Sequence, residues 1–395
     1  MEHKLERKYG LFTAICLVVG IVIGSGVFFK AQTILQKTEG NMPLGIIAWV
    51  IGGLIMLVSI LTFATMAQKY EKVNGIVDYA EATVGSRYGY FVGWFMTAIY
   101  YPSLTSVLCW LSARYTLVFI TSCWPNFPLV IPAEQGGCVI GPECIALMML
   151  FLCCAYFINA ISPKLAGKFQ TTTTIIKLIP LGLMAVVGII SGLVSPTHML
   201  ANNFAFVAEN AEQYSTGHLL LSAVCATAFA YEGWIIATSI NAELKDAKRN
   251  LPLALTIGAF ATIVIYALYI FSMSSIGDVN TIIATWPFGE TLPRIAFSKI
   301  FGSVIGTIVY VFVTIACLGT MNGLIMSSCR GMYSLASRGM GPAPKFFGHV
   351  DDQNNFVIKS SVFGMMTGGF WYAWTVMMWM GGPGMFGQVH SCEWL

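Results

Sequence analysis

Stretches of about 20 predominantly apolar residues recur along this chain, and each is long enough to cross a bilayer as a helix. We read nine of them: 9–35, 44–66, 88–120, 144–161, 169–194, 219–240, 253–276, 301–335 and 357–380. The third is long enough to span with a tilt. Only 10% of the residues are charged, where a soluble domain carries about 25%. The expectation is an all-α polytopic membrane protein. A net charge of +3 is too small to suggest a nucleic-acid partner. The first stretch is too long for a cleaved leader, and no small-x-small site precedes a hydrophilic mature sequence. It reads as a retained first span in a single transmembrane unit covering 1–395.

Basic residues orient the spans. With the N-terminus in the cytoplasm, most of the 21 Lys and Arg residues fall on the inner side, as the positive-inside bias requires. They include Lys4, Arg7, Lys8, Lys69, Lys72, Arg87, Lys164, Lys168, Lys245, Lys248, Arg249, Arg338, Lys345 and Lys359. The outer loop 195–217 carries Glu209 and Glu212 and no Lys or Arg. The site is therefore expected in a multi-pass protein of the cell membrane.

Most cysteines lie in apolar stretches, where they behave as small hydrophobes. Cys123, Cys138 and Cys144 share one outer loop, and a bridge between two of them is unforced. There is no C-x-x-C pair and no intramembrane histidine, so neither a metal site nor a cofactor is expected. No nucleophile–base pair recurs, so an enzyme is not expected.

Two spans carry irregular chemistry at their centres. In the first, Gly24-Ser25-Gly26 interrupts an apolar helix. Glycine weakens a helix. Non-helical backbone survives in lipid only where it is buried in protein or lines a cavity. Close helix packing on small residues is the alternative reading. In the sixth, Phe229-Ala230-Tyr231-Glu232-Gly233-Trp234 puts a carboxylate and a glycine at mid-membrane, where charge is expensive. Glu232 is either satisfied within the bundle or faces a wet cavity. Interrupted spans at matching positions of two halves point to an inverted-repeat transporter and its binding site. A half-helix starting after Gly24-Ser25-Gly26 would offer free N–H groups and a positive dipole end to a carboxylate. A half-helix ending near Phe229 and Ala230 would offer free carbonyls to an ammonium. A zwitterionic amino acid satisfies both ends together.

These residues resemble the amino acid–polyamine–organocation superfamily, and within it the L-type amino acid transporter branch with its bacterial serine/threonine exchangers. Four motifs carry the resemblance. They are Ile23-Gly24-Ser25-Gly26-Val27-Phe28; Phe229 to Trp234 with Glu243-Leu244-Lys245 and Arg249-Asn250-Leu251-Pro252; Gly319-Thr320-Met321-Asn322-Gly323 with Arg330 and Ala336-Ser337-Arg338-Gly339; and the looser Asn74 to Tyr79 with Gly85, Gly89, Gly93 and Trp94. The resemblance implies an inverted-repeat (5+5) transporter fold with broken first and sixth helices. Residues 9–194 would form the first five-helix repeat and 217–380 an incomplete second repeat of helices six to nine. The family usually has twelve spans and its core repeat needs ten, so the chain reads as truncated after the ninth, at Gly382-Pro383-Gly384-Met385.

By the same resemblance the substrate carboxylate would meet the Ser25 and Gly26 N–H groups and the Ser25 hydroxyl. The ammonium would meet the carbonyls of Val22, Phe229 and Glu232. Gly24, Ala230 and Gly233 complete the two breaks. Phe229 would close the site from outside. Lys177 matches a basic residue that sodium-independent members place in the fifth helix, where sodium-coupled relatives hold an ion. It follows Thr171 to Thr174 about a dozen residues into its span, near mid-membrane at 1.5 Å per residue; a snorkelling lysine is the alternative. Glu232 departs from the small residue found in many relatives. It would favour cationic side chains, couple to protons, or be neutralised by an ion pair with Lys177. Asn74 replaces a glycine of the fourth motif, from which nothing is carried over.

The function expected is sodium-independent amino-acid exchange by alternating access. A proton-coupled symporter titrating Glu232 or Lys177 is one alternative. A transport-inactive or amino-acid-sensing membrane protein is another. Tyr100, Tyr101 and Pro102 are expected to kink the third helix with core aromatics or to line the cavity. Asn322 is expected to bond within the bundle or to the substrate, and Glu243 to Asn250 to form a solvated inner loop. A heteromeric partner joined through Cys123 is not expected, since the surrounding loop matches such relatives poorly.

Overall fold

Glycine, proline and capping side chains set where the helices begin and end. In the computed structural model, residues 6–70, 73–194, 199–205, 215–273, 276–284, 292–351 and 356–380 are described. Lys4, Lys72, Glu209, Glu212 and the segment Gly382 to Met385 lie outside them. The first span is two helices, α1 (Leu11–Val22) and α2 (Gly26–Lys37). Then come α3 (Met42–Lys69) and the short α4 (Gly75–Val84). The third span is α5 (Ser86–Cys123), followed by α6 (Pro142–Ile161) and α7 (Pro163–Val194). The sixth is α8 (Thr216–Thr227) and a 3₁₀ segment (Trp234–Glu243). The last three are α9 (Ala247–Met273), α10 (Ser303–Ala336) and α11 (Ile358–Met380).

Seven helices among the described residues are long and apolar enough to cross a membrane, and no strand occurs among them, only two isolated bridges. The molecule is a multi-pass membrane protein. Asn41 accepts from the Leu44 N–H at 3.0 Å ahead of α3, and Ser162 from the Leu165 N–H ahead of α7. Each cap satisfies a donor that the helix start leaves orphaned. The third span contains a π turn at Met96–Tyr100 immediately before Pro102. Proline supplies no N–H to the carbonyl four residues earlier. That carbonyl, of Ala98, accepts instead from the Trp371 indole of α11 at 2.8 Å. Tyr101 and Pro102 are buried and do not line the cavity described below, so core residues beside a π turn are the arrangement found.

The core sits where α1, α5, α9 and α10 converge. α5 and α10 pack along each other, α9 packs on α1 and α3, and α7 packs on α1 and α10. Asn322 belongs to this core. Its amide donates to Gln170 Oε1 at 3.0 Å and its carbonyl oxygen accepts from Asn159 at 2.9 Å. It bonds within the bundle and does not line the cavity described below.

Candidate functional site

Both interrupted spans are broken, and the two breaks face each other. α1 ends at Val22, and the chain turns sharply, with the Gly24 N–H donating to the Val22 carbonyl at 2.8 Å. α2 starts at Gly26, so its first N–H groups have no carbonyl a turn earlier to bond. Opposite, α8 stops at Thr227, whose carbonyl takes the N–H groups of both Ala230 and Tyr231. Gly233 restarts the chain with φ of +99°, a conformation that favours glycine. A methyl group on Gly26 would lie 3.0 Å from Ala230 Cα and 3.3 Å from the Phe229 ring. A side chain there presses on the Ala230 backbone.

Between the breaks is a cavity of about 30 Å³, room for about one water molecule. Val22, Gly24, Ser25 and Gly26 line it from the first span, and Phe229 and Glu232 from the sixth. Leu104, Val107 and Leu108 of α5, with Ile236 and Leu324, form an apolar wall, and Thr320 of α10 completes it. Ala230 and Gly233 are buried next to the cavity without lining it. Glu232 Oε1 is buried and makes no hydrogen bond. The Lys30 ammonium of α2 sits 5.6 Å from the centre of the Phe229 ring, on which it can act as a cation–π partner.

Neighbouring helices bond carbonyls of α1, among them those of Gly20 and Ile21 that the first break leaves over. The buried Lys177 ammonium donates to the Gly20 carbonyl. The Thr320 hydroxyl lies 3.2 Å from the same oxygen and 3.3 Å from that of Ile21. Thr174 reaches the Cys16 carbonyl at 2.9 Å. The ion pair between Lys177 and Glu232, one of the alternatives for that carboxylate, is not formed. Lys177 is spent on backbone of the first span, while Glu232 faces the cavity.

Sequence reasoning missed Tyr266. Its hydroxyl lies 3.0 Å from the Val22 carbonyl and 3.0 Å from that of Ala230. One phenol proton thus serves the ends of both broken helices. Trp49 and Tyr231 pack edge-on and tilted around its ring, with centroids 5.1 Å away. A tyrosine at the centre of an apolar span was the available signal, since a buried hydroxyl needs a partner. The Val22 carbonyl, accepting from Gly24 and Tyr266, has both lone pairs occupied.

The end of the bundle that carries the N-terminus is also tied by polar chemistry. Glu243 is 0% exposed and pairs with Arg330 and, at 2.6 Å, with Lys8. The Lys8 and Tyr9 N–H groups donate to the Glu243 carbonyl, and the Lys245 N–H to that of Tyr9. Burial pulls the Lys8 ammonium below the usual lysine range, against the opposing pull of the Glu243 carboxylate. Glu243 to Asn250 is therefore not a solvated loop throughout. Glu243, Leu244 and Ala247 are buried, and Lys245, Asp246, Lys248 and Arg249 are exposed. Cys123 is exposed at the end of α5, Cys138 and Cys144 are buried, and all three are free thiols.

Comparison with known proteins shows the family and the fold. A family model described as amino acid permease matches residues 9–382. The chain is 31% identical over 349 residues to the Serine/threonine exchanger SteT of Bacillus subtilis, covering 88% of this chain and 72% of that protein. It is 27% identical to the human Large neutral amino acids transporter small subunit 2 over 350 residues, covering 88% of this chain and 61% of that protein. It is 27% identical to the human Asc-type amino acid transporter 1 over 345 residues, covering 86% and 61% respectively. Its fold is similar to that in the crystal structure of MhsT in complex with L-phenylalanine, with a TM-score of 0.63 at 14% identity over 99% of this chain and 84% of that one.

Proposed function

The chain belongs to the amino acid permease family, and from that premise we propose that it exchanges amino acids across the membrane by alternating access, independently of sodium. The observation that carries this reading is the pair of facing helix breaks around one small cavity. The start of α2 and Ser25 offer donors to a carboxylate, and the sixth-span break offers carbonyls and Glu232 to an ammonium. With the Val22 and Ala230 carbonyls engaged by Tyr266, the ammonium falls to Phe229 and Glu232. Gly26 and Gly233 keep the two backbones close, Gly24 makes room for Thr320, and Phe229 closes the outer side. Lys177 supplies a side-chain donor at Gly20, which supports independence from sodium. An apolar wall selects an uncharged side chain, and a cavity this small must open for a substrate to enter.

The N-terminus and the loop before α9 lie in the cytoplasm, residues 9–194 form one repeat, and 217–380 belong to a second. The relatives named as exchangers and transporters support the substrate class, although the chain spans about three fifths of the length of the human ones. A second reading rests on Glu232 Oε1, which has no hydrogen bond in the cavity. That carboxylate would couple transport to protons. Equilibrium binding of labelled threonine to the purified chain tests the main reading. Threonine should be displaced by other neutral amino acids, and neither by the matching amine nor by the matching hydroxy acid. Displacement by the amine alone would overturn the two-ended site. Retention of pH-gradient-driven uptake in Glu232→Gln would remove the second reading.

A further inference from the structure

The motif Arg249-Asn250-Leu251-Pro252 lies away from the substrate cavity, at the mouth of a separate groove between α3 and α9. The groove measures about 740 Å³ and is lined by Leu61, Thr65 and Gln68 of α3 and by Lys248, Arg249 and Leu253 of α9, among others. Its chemistry is divided along its length. Gln68, Lys248 and Arg249 are exposed at the end nearest the loops, with Lys69 beside them in the last turn of α3. Further in, the Thr65 and Thr256 hydroxyls are turned onto their own helices, bonding the Leu61 and Pro252 carbonyls at 2.9 Å. The inner trough therefore presents carbon. It continues into exposed Val58 and Leu54 on α3 and Ile257, Phe260 and Val264 on α9.

The cations are uncommitted. Among the described residues neither Lys248, Arg249 nor Lys69 forms an ion pair. Glu243 is held by Arg330 and Lys8, and Asp246 is the nearest acid on the approach to α9. The positive dipole end of α9 there is offset by the negative end of the 28-residue α3, so the side chains set the charge of the mouth. Arg249 and Phe260 are separated by about 16 Å of helix at 1.5 Å per residue. That matches one leaflet of a hydrocarbon core about 30 Å thick. A basic mouth above an apolar trough one leaflet long complements one ligand class.

We propose that this groove is a binding site for an anionic phospholipid of the inner leaflet, its phosphate on Lys248 and Arg249 and one acyl chain in the trough. Basic pockets between transmembrane helices recognise such headgroups. The site goes beyond the transport reading, and its test needs no transport. The full chain would be exchanged into detergent and titrated with phosphatidylglycerol, followed by native mass spectrometry of the retained lipid. Lys248→Gln/Arg249→Gln should weaken retention about 30-fold, the loss expected for two cations at a membrane surface. Lys164→Gln/Lys168→Gln removes the same charge from another exposed pair and should change it less than about twofold. Equal loss in both pairs would reduce the effect to surface charge and overturn the site. Equal retention of phosphatidylcholine with the same chains would also overturn it. Displacement by inorganic phosphate or glycerophosphate as effectively as by lipid would make it a free-anion site and contradict the acyl-chain half of the proposal.

Discussion

Single positions carry the substrate site because each removes or supplies one interaction that its neighbours cannot replace. A side chain at Gly26 must displace the Ala230 backbone, so Gly26→Leu should abolish amino-acid binding. Gly10→Ala, where an added methyl group meets nothing within 4 Å, should bind as the parent does. Isothermal titration of the two purified variants checks the pair. Tyr266→Phe leaves the buried Ala230 carbonyl unmet and the Val22 carbonyl with the Gly24 N–H alone, at a cost of about 1–3 kcal/mol. It should lower the melting temperature and slow exchange at least tenfold. Tyr269→Phe should do neither, since the equally buried Tyr269 hydroxyl has no hydrogen bond to lose. The breaks were legible in the sequence because glycine acts on its own backbone. Tyr266 was not, because its two acceptors lie 244 and 36 residues away. Leu104, Val107 and Leu108 were equally hidden. In a membrane chain, leucine toward a cavity and leucine toward lipid look alike.

At the scale of helices, proline and buried charge need partners from other elements. Trp371→Phe removes the indole that satisfies the Ala98 carbonyl at the π turn. A destabilisation of about 1–3 kcal/mol is expected, seen as earlier unfolding in a thermal scan in detergent. Removing one member of the Glu243–Arg330–Lys8 cluster strands buried charge. Glu243→Gln should cost about 3–5 kcal/mol, whereas Glu243→Leu with Arg330→Met should be milder. Equal loss in the single and double variants would contradict that account. Seven of the nine spans read from the sequence coincide with helices long and apolar enough to cross a membrane, since length and hydropathy are local; the sixth is broken after Thr227, and 357–380 coincides with α11, outside those seven. The sequence misjudged Glu243, which reads as part of a charged loop and is buried by Arg330, 87 residues away. It also left Glu232 and Lys177 as candidate partners, although each faces different groups.

For the whole molecule, the arrangement amounts to two broken helices held around one small cavity, with the first break tied to α7 and α10 by Lys177 and Thr320 and both breaks tied to α9 by Tyr266. Such a device moves a substrate only if both breaks open to one side and then the other. The central claim is exchange. The most direct measurement is uptake of labelled serine, threonine, alanine and leucine into proteoliposomes containing this chain, with and without unlabelled amino acid trapped inside and without sodium. The account predicts uptake that requires internal amino acid and is indifferent to sodium. Uptake that follows a pH gradient into empty vesicles, or no uptake by correctly inserted protein, would contradict it.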